Sequence, residues 1–363
     1  MRSNYRKKLD DLNIKIESLY RMYSYKKAAK LRRKRMNGGY NCDKEYKDIV
    51  VPYWEQFGLK PDKIWYEIFS DKDQKVDPRY IPDDLWYGKI VPYFSNTQFR
   101  RFGEDKGMHY KFFSDLKRPQ TIVKNMAGVF YNDKMEVIDK EKAVELILSY
   151  SNEFLVKPSI DSGEGRLIRF FDKKSNNKKN ILDAFNILKA NYIFQESVKQ
   201  HPYLNVLNPS SLNTVRVVSL FFKGEVHMLS SILRIGGKNS KVDNIGAGGF
   251  AIHIKENGNL EYRGVNRRAE WVTEGHDGIK FSSIIVPEYK KILDIIRKKH
   301  KQLPHFKLIG WDFSVDYKSD PVFIEYNTFP GSNQITCGPT FGDITEDVLK
   351  EVFVEKNLEY AQN

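Results

Sequence analysis

The segment 308–327 constrains the fold of this chain more than any other, because it predicts an antiparallel sheet with a defined register. Residues 308–317 and 321–327 are rich in apolar and aromatic residues, and Lys318-Ser319 between them is typical of a turn. A hairpin centred on that turn places Asp312 directly opposite Glu325, and paired residues share a face of the sheet. Asn327, two residues beyond Glu325, points the same way.

Two carboxylates that face each other repel, so this pair is unfavourable unless water or a cation screens it. Asp312, Glu325 and Asn327 together supply the hard oxygen ligands that bind Mg²⁺ beside phosphate groups. The spacing leaves a solvated sheet face open as an alternative. Gly310-Trp311 and Pro330-Gly331 flank the set and favour a shaped loop close to a ligand.

The composition excludes several classes of protein. The chain has 363 residues, of which 40% are hydrophobic and 29% charged, so it can bury a large core and is expected to form two or three domains. Its two cysteines match neither a disulfide framework nor a metal-ligand spacing. No run is apolar enough to span a membrane, and the first residues lack the apolar core of a signal peptide. We therefore expect a cytoplasmic globular protein.

The positive charge is concentrated at one end of the chain. The net charge is +13, of which residues 1–35 hold +10 and the other 328 residues only +3. This distribution disfavours a nucleic-acid groove across the body, which needs an extended basic surface.

The basic arm is itself predicted to be an amphipathic helix, because its apolar residues recur at alternating steps of four and three. These residues are Tyr5, Leu9, Leu12, Ile16, Leu19 and Tyr23. Three interpretations stay open: a helix on an anionic membrane surface, which makes the protein peripheral at the inner face of a membrane; a helix packed on the body or on a second copy; and an RNA-binding tail.

From about residue 78 the sequence alternates short strands and helices, which predicts an α+β fold, and we recognise no internal repeat. A strand at 153–157 ends at Lys157 and is followed by a loop with Ser162, Gly163 and Gly165, whose backbone N–H groups could cover a phosphate. A tight hairpin turn is the alternative. The G-x-x-x-x-G-K-[ST] pattern is absent, which excludes P-loop chemistry. Lys124 ends an earlier strand, and an ordinary surface lysine is its alternative.

Two arginines lie in later strands. Arg216 belongs to the apolar run TVRVVSLFF, and Arg234 ends the run MLSSILRIG. An arginine in such a strand requires an acidic or anionic partner, because an unpaired buried guanidinium is costly. An internal ion pair is the structural alternative to a catalytic role.

Taken in order, these motifs resemble the ATP-grasp fold. The segments NMAGVFY, QHPYLNVLNPSSLNTVRVVSL, ILRIGG and IGWDFSV with FIEYNTFPG are more narrowly similar to the sugar-transfer-associated ATP-grasp family, over about residues 78–345. The resemblance implies two α+β lobes that enclose a nucleotide, preceded by a basic helical extension. The expected domains are residues 1–77, 78–200 and 201–363, the second with the phosphate loop and the third with the metal site.

The resemblance also implies roles for individual residues. Lys124 and Lys157 would reach the phosphates of ATP under the Gly/Ser loop, and Asp312, Glu325 and Asn327 would hold two Mg²⁺ ions. The catalytic residues would be Arg216 and Arg234, with Arg234 steadying the transferred phosphoryl group or the substrate carboxylate. The hinge against adenine would be formed by Gln195, Glu196 and Val198.

The implied activity is that of an ATP- and Mg²⁺-dependent carboxylate–amine ligase that acts through an acylphosphate. Its expected substrates are a carboxylate, such as a uronic acid of a cell-surface or capsule polysaccharide, and an amine. The alternatives are an ATP-grasp phosphotransferase and a non-catalytic nucleotide-binding adaptor of a glycan-assembly complex. The sequence does not indicate the oligomeric state. The α/β domain that precedes many ATP-grasp ligases is not visible in residues 1–77, which read as helical and basic.

Overall fold

The computed structural model describes residues 2–160, 165 and 167–355. The chain begins with a helical region that is dominated by α1, Arg2–Arg35. The short helices that follow are α2 Asp43–Glu45, α3 Val51–Glu55, α4 Ile64–Phe69, α5 Asp83–Leu85, α6 Val91–Phe94, α7 Arg100–Gly103 and α8 His109–Phe112. No helix in the described part of the chain has the length and apolar character that a membrane crossing requires.

The helical region contains an internal repeat, so our expectation of none was wrong. Segment 43–54 (DKEYKDIVVPYW) aligns with segment 83–94 (DDLWYGKIVPYF), and each folds as a helix with a π-helical segment, Tyr46–Val50 or Trp86–Ile90, before a Val-Pro pair. Proline has no N–H and its ring collides with the carbonyl four residues earlier, which widens the preceding turn. Accordingly, the N–H groups of Val51 and Val91 donate to the carbonyls of Tyr46 and Trp86.

Helix α1 packs on the second copy of this repeat through a face that excludes the predicted apolar stripe. Ser18 Oγ donates to the Gly88 carbonyl at 2.6 Å, and the ring of Tyr25 stacks on Tyr87 at 3.9 Å. A Cβ on Gly88 would lie 2.4 Å from Met22 Cγ, so a glycine permits this close approach. The stripe residues from Leu9 to Tyr23 are exposed instead.

The middle of the chain forms the first lobe, here called the N-lobe, around an antiparallel sheet. Its strands are β1 Thr121–Met126, β2 Val129–Tyr131, β3 Val137–Ile138, β4 Phe154–Pro158, β5 Arg169–Phe171 and β6 Tyr192–Glu196, in the order β3-β2-β1-β6-β4-β5. Helices α9 (Lys140–Leu148) and α10 (Lys178–Leu188) cover one face, burying Val123, Ile147 and Ile181. Asp139 caps α9, because its carboxylate accepts a hydrogen bond from the Lys142 N–H at 2.7 Å.

The second lobe, the C-lobe, is built on a longer antiparallel sheet. Its helices are α11 Pro202–Asn205, α12 Tyr289–His300, α13 Gln334–Cys337 and α14 Thr345–Leu349, which continues as a π-helical segment, Lys350–Glu355. Its strands are β7 Thr214–Phe222, β8 Glu225–Ile235, β9 Phe250–Ile254, β10 Leu260–Asn266, β11 Trp271–Val272, β12 Leu308–Val315 and β13 Pro321–Asn327. The strand order is β11-β10-β9-β8-β7-β12-β13.

The two faces of the C-lobe sheet have different neighbours. One face packs Val217, Trp311 and Phe313 into a core with Ile292 and Ile296 of α12. The opposite face is divided between two surroundings. At one end, Val218, Leu220 and Phe222 lie beneath the helical region. They share a buried core with apolar side chains of that region, from Ala29 to Phe94 in the sequence, and with Val348. The other end carries Arg216 and Asp312 and faces the N-lobe.

Candidate active site

A cavity of about 1170 Å³ lies between the two lobes. The predicted site residues among those that line it are Lys157, Gly165, Gln195, Glu196 and Val198 from the N-lobe, and Arg216, Arg234, Asp312, Glu325 and Asn327 from the C-lobe. The fold therefore brings residues from distant parts of the sequence to one cavity between the lobes. Ser162 and Gly163 fall outside the described residues.

The floor of the cavity is the hairpin of β12 and β13. Asp312 pairs with Glu325 and Gly310 with Asn327, as the sequence predicts, and Asp312 pairs with Arg216 on its other side. Arg216, Asp312 and Glu325 thus form one row across three strands on the same face. Asp312 is only 2% exposed, so this part of the sheet is not a solvated face.

Asp312 is held by arginines. The Arg216 guanidinium donates to both carboxylate oxygens, with Nε 2.7 Å from Oδ1 and Nη2 2.5 Å from Oδ2. Arg234 Nη1 lies 3.6 Å from Asp312 Oδ2 and 3.7 Å from Asp243 Oδ2. Burial alone would lower the pKa of Arg216, but Asp312 raises it above its usual range. The internal ion pair foreseen for Arg216 is therefore present, and it lies at the cavity.

Glu325 is held by lysines. Lys106 Nζ is 3.1 Å from Glu325 Oε2. Burial would raise the pKa of Glu325, yet the charges of Lys106 and Lys157 bring it down to about 2, so the group is a carboxylate at neutral pH. Burial in turn lowers the pKa of Lys157 to about 8. The repulsion expected between the facing carboxylates is thus offset by basic side chains of both lobes.

Lys124 and Lys157 lie on one face of the N-lobe sheet, because each pairs with Ile193 from opposite sides. The amine of Lys124, however, is not among the groups that line the cavity. Its Nζ lies 3.8 Å from the centre of the Tyr110 ring and 3.3 Å from the sulfur of Met135. Burial lowers the pKa of Lys124 to about 8. It is therefore a buried residue rather than an ordinary surface lysine.

Gly165 is the described glycine of the Gly/Ser loop, and it lies beside Val242 of the C-lobe. Gly165 has a φ of +71°, and a Cβ there would lie 2.9 Å from Val242 Cγ1. Both the backbone conformation and this close approach therefore require glycine. The loop begins at Ser159, whose carbonyl accepts from the Lys106 N–H at 2.9 Å.

The hinge residues line the cavity and are held by hydrogen bonds to neighbouring segments. The side-chain carboxylate of Glu196 accepts a hydrogen bond from the backbone N–H of Gln120 at 2.9 Å. The backbone N–H of Glu196 donates to the Gln120 carbonyl, also at 2.9 Å. The Ser197 N–H donates to the Glu153 carbonyl at 3.0 Å. Because these bonds tie the segment 195–198 to neighbouring strands, its position at the cavity edge is well defined.

The candidate ligands on the cavity floor, Asp312, Glu325 and Asn327, suit a hard cation. Among the described residues, no cluster of three or more His, Cys, Asp or Glu side chains has the arrangement of a metal site. The candidate ligands are two carboxylates and the amide of Asn327, whose Nδ2 is buried without a hydrogen-bond partner among those residues. An amide turned the other way would present its oxygen there, because the two orientations have nearly the same shape. Two carboxylate groups and an amide oxygen fit Mg²⁺.

Sequence reasoning missed Lys106 and Tyr110. Both lie in the segment 100–113, where α7 and α8 are single helical turns without a recognisable hydrophobic period. The only local signal was Gly107 beside Lys106, which is too common to indicate a site. Their importance follows from the tertiary fold, which brings this connection against both β13 and β1.

A model of the sugar-transfer associated ATP-grasp family matches residues 104–341, which is more than half of the chain. The chain belongs to this family. Its two lobes, with the cavity between their sheets, are accordingly an ATP-grasp fold. Helices α1 to α7 precede the matched region. No protein of curated function matches the sequence.

Solved structures with a similar fold include several enzymes. D-alanyl-alanine synthetase A from Vibrio cholerae is 12% identical with a TM-score of 0.41, and the match covers 69% of this chain and 65% of that one. An L-amino acid ligase from Bacillus licheniformis is 12% identical with a TM-score of 0.40, covering 84% and 52%. This member of the ATP-grasp family therefore spans less than two thirds of the length of each.

Proposed function

We propose that this protein is an ATP- and Mg²⁺-dependent carboxylate–amine ligase. The observation that carries the proposal is the cavity between the lobes, in which Lys157 of the N-lobe approaches the Asp312–Glu325 pair of the C-lobe. Phosphoryl transfer depends on positioning and on positive charge more than on covalent help from the protein, and this cavity concentrates both.

In this proposal ATP binds with its triphosphate between the lobes. Lys157 contacts the phosphates, the loop that contains Ser162, Gly163 and Gly165 covers them, and the 195–198 segment contacts adenine through its backbone. Lys124 also contributes once its amine leaves the Tyr110 ring. Asp312, Glu325 and Asn327 hold Mg²⁺, two ions in the full complex, and the metal neutralises phosphate charge when bound.

The reaction then proceeds in two steps. A carboxylate oxygen of the first substrate attacks the γ-phosphorus, the bond to ADP breaks, and an acylphosphate forms. The amine attacks the acyl carbon and loses a proton, and phosphate leaves as the amide forms. Arg234 lies 3.6 Å from Asp312 and is placed to steady the transferred phosphoryl group, while Arg216 orients Asp312 through two hydrogen bonds.

The name of the family supports a sugar-linked acid as the first substrate. We propose a uronic acid of a cell-surface polysaccharide, with an amino acid or another amine as the second. A cavity of about 1170 Å³ exceeds what a small ligand alone requires, which leaves room for an acid beside the nucleotide.

A product assay tests the activity. Phosphate release from Mg·ATP should require both an acid and an amine, and mass spectrometry should detect the amide. E325Q should lose this activity, whereas K117M, which alters a lysine paired with Asp316 and Asp320 at the hairpin turn, should retain it. A stable phosphoester would favour the phosphotransferase, and nucleotide binding without turnover on an acid and amine panel would favour the adaptor.

The exposed face of α1 supports a location at an anionic membrane surface. Leu12, Ile16 and Leu19 are 51%, 56% and 64% exposed, and the same helical face continues with Lys27 and Lys30. Apolar residues followed by basic ones match a lipid interface with anionic headgroups. A second copy of the arm would bring two strongly basic helices together, which repel.

Flotation with vesicles tests this location. The full chain should float with anionic vesicles and not with neutral ones, and L12S/L19S should lose this binding. V137S is the matched control, because Val137 is 70% exposed on β3 of the N-lobe, away from α1 in the sequence. Equal flotation of both variants would contradict the proposal, as would a dimer in sedimentation or RNA binding that depends on Leu12 and Leu19.

A further inference from the structure

Lys106 connects three parts of the active site. Its Nζ lies 3.1 Å from Glu325 Oε2, its backbone N–H donates to the Ser159 carbonyl at the start of the phosphate loop, and its side chain lines the cavity. The Lys106 side chain is 10% exposed, so its charge acts in a partly desolvated environment. The residue is therefore placed to respond to whatever binds between the lobes.

The two acidic residues of the floor are neutralised in different ways. Arg216 holds Asp312 through two hydrogen bonds from a planar guanidinium, which fixes both groups. Lys106 reaches Glu325 as an ammonium group on a flexible four-carbon chain, with Nζ 3.1 Å from Oε2. A lysine can leave a carboxylate by rotating its side chain, whereas a bidentate arginine cannot do so without losing both bonds.

We propose that Lys106 is a positioning residue that exchanges partners when Mg²⁺ and nucleotide bind. Before binding, its ammonium group neutralises Glu325; on binding, it moves to the phosphates. This inference rests on the proposed nucleotide and metal site.

The physical basis is competition between cations. An ammonium group and a divalent cation on one carboxylate repel each other strongly where water is scarce. The same cavity that receives Mg²⁺ also receives the negative phosphates, so a displaced ammonium group finds a new anionic partner a short distance away. The exchange keeps Glu325 neutralised at every stage, which prevents repulsion from the neighbouring Asp312.

Binding measurements on K106M test the exchange, because it predicts opposite effects on two ligands. Mn²⁺ alone, detected by electron paramagnetic resonance, should bind K106M about fivefold more tightly than the wild type, since its competitor is gone. Mg·ADP, measured by calorimetry, should bind about tenfold more weakly, since a phosphate contact is lost. K106R should restore most of the Mg·ADP affinity and remove the gain for Mn²⁺.

K117M is the matched control, because Lys117 also pairs with carboxylates of this hairpin, Asp316 and Asp320, but at the distant turn. It should leave both affinities unchanged. If K106M weakens both ligands, tightens both or changes neither, the exchange is wrong; K106R, which retains the charge, shows whether misfolding is responsible. If the wild type itself fails to bind Mg·ADP, the proposed function fails, which is a different result.

Discussion

One face of the C-lobe sheet serves two purposes at its two ends. In β7, Arg216 faces the cavity, whereas Val218 and Leu220, which follow at intervals of two residues, face the helical region and are fully buried. Strands β7 and β12 pair in one unbroken register from Leu220 to Arg216. What differs is the neighbour. The comparison teaches that a short distance along a strand separates residues that we propose to hold ligands from residues that stabilise the fold.

The boundary between the two ends lies at Gly310. A Cβ on this residue would lie 2.9 Å from Pro330 Cβ, so the segment after Asn327 crosses the sheet face there. The helical region fixes this crossing, because Trp86 Nε1 donates to the Pro330 carbonyl at 2.9 Å and the Tyr87 ring stacks on Phe329. Residues outside the matched family region therefore support the loop next to the proposed metal ligand.

The largest expected effect on turnover comes from substitutions at the end of the sheet face that lines the cavity. E325Q and D312N should each reduce turnover by about a thousandfold, because the proposed Mg²⁺ site loses a carboxylate where phosphate charge must be neutralised. D312N should also destabilise the fold, since Arg216 loses its ionic partner, and E325Q should do so less. Turnover and thermal unfolding of both variants check this. Near wild-type turnover in either variant would refute the metal assignment.

At the end of the sheet face that the helical region covers, a substitution should lower stability and leave turnover unchanged. L220A is expected to lower the free energy of unfolding by about 3 kcal/mol, because Leu220 is fully buried beneath the helical region. Turnover per folded molecule should stay close to that of the wild type. Denaturant unfolding together with an activity assay measures both effects, and a large loss of turnover in folded L220A would show that the two ends are not separable.

A smaller effect is expected at Lys124, where burial lowers the pKa to about 8. The unfolded chain binds this proton more tightly than the folded chain, so the lysine destabilises the fold below pH 8, and this cost fades as the pH rises towards 10.5. K124M should therefore be more stable than the wild type by about 2 kcal/mol at pH 7. The gain is smaller than the full cost of burying the charge, because the Tyr110 ring already stabilises the ammonium group. Unfolding at pH 7 and pH 10 measures the difference, and an equal gain at both would contradict it.

The smallest effect concerns the attachment of α1. S18A removes the hydrogen bond to the Gly88 carbonyl and should cost about 1 kcal/mol of stability. Turnover in solution should not change. Thermal unfolding with and without the substitution checks the first point, and a drop in turnover at unchanged stability would link α1 directly to the active site.

The central hairpin could be predicted from sequence, although one detail of its geometry could not. The chain turns with the Ser319 N–H donating to the Asp316 carbonyl, and Phe323 pairs with Phe313. Ile324 is then an extra residue, a bulge that restores Glu325 to its place opposite Asp312. The turn is centred on Lys318, whereas the sequence prediction centred it between Lys318 and Ser319. The bulge compensates for this difference of half a residue, so the predicted pairing of Asp312 with Glu325 is present.

Other features depended on tertiary contacts that no local pattern records. The period of α1 predicted an amphipathic helix, but its packed side follows Ser18, Met22, Tyr25 and Ala29. Because Ser18 is polar and Ala29 is small, this row does not mark a core face in isolation. The contact of Lys106 with Glu325 joins single-turn helices to a distant strand. Sequence patterns could indicate elements and pairings, whereas contacts between irregular segments required the fold.

The most direct test of the account is a crystal structure of the chain with Mn²⁺ and ADP, with the metal located by anomalous scattering. The account predicts a metal peak at the oxygen atoms of Asp312, Glu325 and Asn327, with the ADP phosphates beside it and near Lys157. A metal peak elsewhere, with Asp312 and Glu325 still bound only by Arg216 and Lys106, would contradict it.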